Sequence, residues 1–366
     1  MRHAPAPLRR PAIAAALLLA GATSSLAAQA PSGGNGTIYY GTYDKKVLVI
    51  DEASMAVRDS MPVAIGIPIG LTLSADRSKL YAIDAAFEKI ETFDLASRKS
   101  LGFFTLSEGR TQVRMRGFNI DPKDRFAILM VKAATKRSDR WEIGKNTLLK
   151  YDLAKKVVTD TIPWPDGKER EFAQILFSPD GAYMYFFTDE DVLVYDAQTL
   201  KQVDKWDLQR SVDDGLGNWN FGFPESLYDE PGFSTGLFRT TDPVNHRTLM
   251  GVARVDLAKR TVDFYSLGPS EPVGFALAPG RQRAYGMRQQ VGNYQFWTFD
   301  LENLRVGQRV EFEGRPRMGL TVSTNGSLLY VHTAGATIDL YDAQTLKYVR
   351  TATFRADMTD IIVVPR

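Results

Sequence analysis

Seven aspartates recur along the chain in one local setting, each closing an apolar segment just ahead of a short polar stretch. Neighbouring copies are separated by 43, 58, 44, 60, 44 and 42 residues. A period of about 43 is typical of a β-propeller blade, because four short strands and their turns need roughly 40 to 50 residues. The repeat therefore predicts an all-β, seven-bladed β-propeller with four-stranded antiparallel blades and two insertions. The seven positions are Asp51, Asp94, Asp152, Asp196, Asp256, Asp300 and Asp342.

A second motif lies between the aspartates and confirms the register of the repeat. A hydrophobic strand, a tight turn and another strand follow one another in Leu71–Ile83, Ile175–Phe187 and their counterparts. Proline, aspartate, asparagine and glycine in the turns favour the backbone angles that hairpins need. We interpret the seven aspartates as turn formers as well, since a short polar side chain can bond the backbone just ahead of it.

The two ends of the domain predict how the propeller closes. Asp360–Pro365 resembles the first strand of a blade with no second strand after it, and Thr37–Gly41 resembles a second strand with no first. Pairing of these N- and C-terminal strands completes one blade, which contains Asp51, and removes the open sheet edges.

The first residues predict export. Three arginines and a short apolar run ending in small residues are typical of a cleaved signal peptide at 1–28. We expect a flexible leader at 29–36, the propeller domain at 37–366 with insertions at about 131–147 and 207–247, and a periplasmic location. The apolar run is shorter than the roughly 20 residues of a membrane-spanning helix, and no later stretch qualifies.

Composition narrows the chemistry. The chain has no cysteine, which excludes disulfides, thiolate metal sites and covalent haem attachment. Without the signal arginines, 42 basic residues stand against 43 acidic ones. Nucleic acid is therefore not an expected partner, because such proteins concentrate a basic excess on one surface. Nothing predicts a cofactor or metal site in this chain.

Candidate sites are few. His246 and His332 are the two histidines after the signal, and we interpret them as structural. Charged residues gather just before the first strand of five blades, at one expected mouth of the central channel. They form either a rim of paired charges or a polar funnel for an anionic or amine ligand. These residues are Arg114, Arg116, Arg170, Glu171, Glu271, Arg315, Arg317 and Asp357.

The insertions are the remaining places of interest. The first surrounds Trp141 with mixed charge. The second is rich in aromatic residues, which either pack beneath the loop or form an interface centre. Because Trp219, Phe221 and Phe223 alternate, an extended segment would place them on one side. We predict that part of this cluster meets a partner at a channel mouth; its members are Trp219, Phe221, Phe223, Tyr228 and Phe233.

Several motifs carry a family resemblance. They are Leu193–Leu200, Val322–Ser327, Leu340–Leu346 and the long segment Thr235–Thr248, together with the order of the blade repeats. In these features the chain resembles the β subunit family of quinohemoprotein amine dehydrogenase, and more distantly the methylamine dehydrogenase heavy chain and other YVTN-type propellers. None of the motifs is catalytic, so they indicate a fold family more directly than a function.

The resemblance implies a role without redox chemistry. In that family the propeller carries neither quinone nor haem c. It holds a quinone-bearing small subunit, which oxidises a primary amine, against a dihaem cytochrome subunit. Two alternatives stay open because the fold does not determine the function. One is an independent hydrolase or lyase that uses Glu171 or Glu271 as base, with Arg114 or Arg317 stabilising an oxyanion. The other is a pure protein-interaction propeller.

Overall fold

A computed structural model describes residues 31–210, 215–222 and 226–366. Residues from Pro31 to Arg366 form one compact unit. The described segments contain strands and turns without a helix, and the strands form seven four-stranded antiparallel sheets. The predicted all-β, seven-bladed propeller is confirmed.

The strands follow the chain in blade order. The chain starts with β1 (Thr37–Thr42), β2 (Lys46–Asp51) and β3 (Ala56–Pro62). Blade one is β4 (Pro68–Leu73), β5 (Lys79–Asp84), β6 (Lys89–Asp94) and β7 (Lys99–Thr105). Blade two is β8 (Thr111–Ile120), β9 (Phe126–Lys136), β10 (Trp141–Asp152) and β11 (Val157–Ile162). Blade three is β12 (Gln174–Phe177), β13 (Tyr183–Phe187), β14 (Asp191–Asp196) and β15 (Gln202–Asp207).

The second half repeats this order. Blade four is β16 (Trp219–Gly222), β17 (Phe233–Asp242), β18 (Arg247–Asp256) and β19 (Thr261–Pro269). Blade five is β20 (Ala276–Leu277), β21 (Arg283–Gln290), β22 (Asn293–Asp300) and β23 (Arg305–Glu311). Blade six is β24 (Gly319–Val322), β25 (Leu328–His332), β26 (Thr337–Asp342) and β27 (Tyr348–Thr353). The last strand is β28 (Met358–Val364).

Blade seven is shared by the two ends of the chain. Strand β28 pairs with β1, and the sheet order is β28-β1-β2-β3, as the terminal segments predicted. The buried Glu52 ties this blade to blade six, since its carboxylate accepts hydrogen bonds from the Thr324 amide at 2.7 Å and the Tyr330 hydroxyl at 3.0 Å. The same carboxylate accepts one from the Gly36 amide at 2.8 Å, so the expected leader lies against the propeller at this point.

The seven aspartates form turns, as predicted. Each ends the third strand of its blade, and its Oδ1 accepts the backbone N–H three residues ahead. The residue four positions ahead has a φ between 50° and 62° in every copy. A turn followed by a left-handed residue is a common hairpin connection. Hydrogen bonds from the residue three ahead hold the pKa below its usual value at Asp51, Asp94, Asp152, Asp196, Asp256 and Asp300.

The core consists of seven apolar clusters, one at each junction between neighbouring blades. Each four-stranded meander places its first-to-second and third-to-fourth turns at one end, which we call the lower face. The second-to-third hairpins and the connections between blades lie at the other end, the upper face. Nowhere in the described ranges is there a helix long and apolar enough to cross a membrane.

The structure describes the first predicted insertion completely and the second in part. The first lengthens β9 and β10 into a hairpin that extends the upper face of blade two. The described part of the second contributes residues 208–210 and 215–218 to the connection before β16 and residues 226–232 to the lower face, ahead of β17.

Candidate functional site

Arg170 is a structural residue and does not belong to an open charged rim. Its side chain is only 3% exposed, and its Nη2 lies 2.7 Å from Oδ2 of Asp191, which is 1% exposed, and 2.9 Å from Oδ2 of Asp166. The guanidinium lowers the pKa of Asp166 to about 2. Burial alone would raise the pKa of Asp191, but hydrogen bonds from Arg170, Thr188 and Lys205 outweigh it and lower the pKa. The pair anchors the connection between blades two and three.

The two glutamates proposed as bases are separately ion-paired on the upper face. Oε1 of Glu171 lies 3.6 Å from Nζ of Lys132, and the carboxylate is well exposed. Oε2 of Glu271 lies 3.1 Å from Nε of Arg288. Lys132 belongs to blade two and Arg288 to blade five, and each of these blades adjoins the connection that carries the paired glutamate.

The other charged candidates are dispersed. Arg315, in the connection that leads to blade six, pairs with Asp339 of that blade at 2.8 Å. Arg114 and Arg116 lie inside β8, because this strand begins earlier than the repeat suggested. Arg317 is exposed and has a φ of 58°. Asp357 is also exposed, and its carbonyl oxygen accepts the Tyr43 amide at 3.1 Å. The upper face thus has the predicted charge, but the described contacts do not bring Glu171 or Glu271 together with Arg114 or Arg317.

The histidines occupy structural positions. His332 ends β25 opposite Gly319, and a side chain at Gly319 would collide with the imidazole ring. Burial lowers the pKa of His332 to about 4, so the ring is neutral at pH 7. His246 lies in the hairpin after β17 with a φ of 49°.

Asp360 has an altered acidity that sequence analysis did not identify. It lies on β28, and its Oδ2 accepts a hydrogen bond from the Leu71 amide of blade one at 2.7 Å. Burial raises the pKa of this carboxyl group to about 6, although the Leu71 and Ile361 amides act in the other direction. The only sequence signal was an aspartate within the apolar last strand.

A segment of blade four covers the lower mouth of the channel. The Tyr228 hydroxyl donates to the Val322 carbonyl of blade six at 3.0 Å, and Arg77 of blade one donates to the Leu227 carbonyl at 3.2 Å. Leu227 packs with the apolar cluster of blades seven and one, and Tyr228 with that of blades five and six. A cavity of about 470 Å³ remains beside this segment. Residues 226–233 therefore bridge blades on opposite sides of the lower mouth.

Two members of the aromatic cluster expected to meet a partner, Trp219 and Phe221, pack in the core of blades three and four. Trp219 is 2% exposed and packs on Phe264, with ring centroids 4.4 Å apart. Phe221 stacks on the same ring at 5.6 Å, which confirms that the two alternate residues share a side. Partner contact does not fit Trp219, because its surface is already covered by the core of blades three and four. Phe223 lies outside the described residues.

The two remaining members of that cluster have contacts of their own. Tyr228 belongs to the segment over the lower mouth, as described above. The guanidinium carbon of Arg254 lies 4.0 Å from the ring centroid of Phe233, a cation–π contact. Both side chains are partly exposed, so partner contact at these positions stays a prediction.

The upper face carries large apolar side chains in solvent. Trp141 is 48% exposed and Ile143 60% exposed, both on the extended hairpin of blade two. Phe172, in the connection to blade three, is 52% exposed. In the sequence, Trp141 is distinguished only by its place in an insertion. Among the described residues, no group of three or more histidine, aspartate or glutamate side chains is arranged to hold a metal ion.

Known structures share this architecture. No family model and no curated protein matches the sequence. Dihydro-heme d1 dehydrogenase NirN in complex with DHE is similar at a TM-score of 0.51 and 12% identity, over 90% of this chain and 75% of that one. Hydrazine synthase of Kuenenia stuttgartiensis is similar at 0.52 and 12%, over 92% and 99%. The periplasmic gluconolactonase PpgL of Pseudomonas aeruginosa is similar at 0.54 and 14%, over 90% and 99%.

These similarities establish the fold. At 12% to 14% identity they carry no residue of a site over to this chain. The propellers include a dehydrogenase, a synthase and a lactonase by name, so the architecture alone does not select among the functions considered above.

Proposed function

We propose that the chain is a docking subunit of a periplasmic amine dehydrogenase-like complex. In this proposal it holds a quinone-bearing small subunit against a dihaem cytochrome subunit, as the resemblance to the β subunit of quinohemoprotein amine dehydrogenase implies. The chain itself contributes surface and geometry to the complex.

The observation that carries the proposal is the exposure of Trp141, Ile143 and Phe172 on one face. Trp141 and Ile143 lie two residues apart on one side of β10, and contiguous exposed apolar groups on a soluble protein mark interaction surfaces. The lower mouth is bridged by residues 226–233, so we assign the partner contact to the upper face.

The hydrolase alternative has less geometric support. General-base catalysis needs a carboxylate within hydrogen-bond reach of the proton it removes, commonly in an enclosed site. Glu171 is well exposed and paired with Lys132, and Glu271 is paired with Arg288. Hydrolysis of a sugar lactone by the purified chain alone, lost in Glu171→Gln or Glu271→Gln, would favour this alternative instead.

The proposal is tested by purification of the chain from its native extract. We expect it to elute with a small protein that stains for a quinone and with a protein that stains for haem c. We also expect the separated chain to have no amine-oxidising activity. Amine oxidation by the chain alone, or elution with partners that carry neither group, would contradict the proposed role.

A further inference from the structure

The innermost three strands of blade two are longer than those of blade one, at 10, 11 and 12 residues against 6. In the extension, Arg114 lies opposite Lys132, and Trp141 lies opposite Lys136. Residues directly opposite one another share a side of the sheet, and so do alternate residues along a strand. Ile143, two residues after Trp141, therefore projects from the same side as the tryptophan.

We call this side the blade-two face; it consists of Arg114, Lys132, Lys136, Trp141 and Ile143. It is directed to the connection that leads to blade three. Nζ of Lys132 lies 3.6 Å from the Glu171 carboxylate, and Arg116 donates to the Glu171 carbonyl at 3.4 Å. The opposite side, with Val113 and Met115, is buried against blade one. The side that carries Arg114, Lys136, Trp141 and Ile143 is thus the exposed one.

The cations of this side outnumber the neighbouring anions. Its three cations border two anions of the connection: Glu171, which is within ion-pair distance of Lys132, and Glu169, whose carboxylate accepts the amide of Asn146 opposite Lys132. In the described part of the chain, Arg114 and Lys136 form no ion pair, and both are exposed. A surface that combines unpaired cations with an exposed tryptophan and isoleucine complements a partner with carboxylates and apolar side chains.

A protein fits this surface better than a membrane does. At the tip of the hairpin, Arg137 pairs with Glu142 at 2.6 Å and Arg140 with Asp139 at 3.0 Å. The tip therefore presents paired charges, including two carboxylates that an anionic bilayer would repel. Trp141 and Ile143 project from the side of the sheet, where a protein segment can lie along them.

We propose that the blade-two face binds an acidic segment of a partner protein that also carries apolar side chains. This inference rests on the proposed docking function and names the surface and the chemistry of the contact. The carboxylates of the segment would lie against Arg114, Lys132 and Lys136. Its apolar side chains would cover Trp141 and Ile143.

The test uses the mature chain and a fluorescein-labelled peptide in which glutamate and phenylalanine alternate with serine. A matched peptide has glutamine at every glutamate position. We expect the acidic peptide to bind about tenfold more tightly than its glutamine counterpart, and less tightly as salt is added. Arg114→Glu with Lys136→Glu should weaken binding about tenfold, equivalent to about 1.4 kcal/mol.

Matched variants separate this surface from general charge effects. Lys155→Glu with Lys259→Glu reverses two exposed cations in turns of the lower face and should leave binding unchanged. Trp141→Ala should weaken binding without a change in thermal transition, because the side chain is half exposed.

Three results would overturn the inference. The first is equal binding of the two peptides. The second is an equal effect of the two double variants on binding. The third is binding of phosphatidylglycerol vesicles through Trp141 with no binding of either peptide. If the blade-two variants keep a native complex with quinone and haem subunits, the docking function stands and this surface is wrong. If the native complex contains no quinone or haem subunit while the peptide still binds, the surface stands and the docking function is wrong.

Discussion

Asp360 shows how one buried side chain can make stability depend on pH. Its carboxylate links the innermost strands of blades seven and one through the Leu71 amide. Because burial disfavours the charged form, the pKa is raised from 3.8 to about 6. A carboxyl group whose pKa is higher in the folded chain than in the unfolded chain stabilises the fold while the pH is below the unfolded pKa. This stabilisation is lost as the pH rises through the folded pKa.

Asp360→Asn should therefore gain stability relative to the parent as the pH rises from 4 to 7. Asparagine keeps an oxygen that can accept the Leu71 N–H but carries no charge to bury. Because the pKa rises from 3.8 to about 6 on folding, we expect the difference in unfolding free energy to change by about 2 to 3 kcal/mol. Urea denaturation of both proteins at each pH measures it. A difference that stays constant from pH 4 to 7 would show that the carboxyl group is not desolvated.

The sequence did not show which of two residues of the same type is buried and which is exposed. Arg170 and Arg114 occupy similar places in the repeat, yet Arg170 is buried with Asp191 and Arg114 is exposed. Trp219 and Trp141 were both in insertions, yet the first is core and the second is in solvent. Burial depends on which other blade covers a side chain, and local sequence does not contain that information.

The turns between third and fourth strands were predictable because they are local. The aspartate and the residue whose amide it accepts are three positions apart in one short polar segment. In the turn after β10, for example, the Lys155 amide donates to Asp152. The left-handed residue was not predicted, since nonglycine residues take that position in all seven turns.

Lys156→Gly should stabilise the turn after β10. Lys156 has a φ of 57°, a conformation that costs a residue with a Cβ about 1 to 2 kcal/mol and glycine almost nothing. After the entropic cost of glycine, we expect a gain of about 0.5 to 1 kcal/mol in unfolding free energy. Lys155→Gly, one residue earlier and without positive φ, should lower it. Destabilisation of equal size by both changes would contradict the strain argument.

The connection between blades two and three depends on the buried pair of Arg170 and Asp191. Arg170→Gln leaves the Asp191 carboxylate buried with less compensation and should cost about 3 kcal/mol of unfolding free energy. Lys205, a partly exposed second partner of Asp191, provides the matched control. Lys205→Gln should cost about 1 kcal/mol or less, because solvent screens that pair. Equal losses in calorimetry would show that Arg170 is not the main anchor.

At the scale of the molecule, the fold was predictable and the site was not. A repeat of about 43 residues defines each blade locally, and the half-blades at the two ends determine closure. By contrast, the segment 226–233 reaches the lower mouth through contacts with blades one and six, far away in sequence. The blade-two face likewise depends on the register of three strands.

The central claim is that the upper face of the propeller docks a redox partner at blade two. The most direct measurement is photo-crosslinking in the native envelope with benzoylphenylalanine at Ile143, compared with the same group at Val291. Val291 is more exposed and lies in the corresponding hairpin of blade five. We predict an adduct from position 143 only, which stains for haem c or for a quinone and disappears when Arg114→Glu and Lys136→Glu are added. Equal adducts from both positions, or none from position 143, would contradict the account.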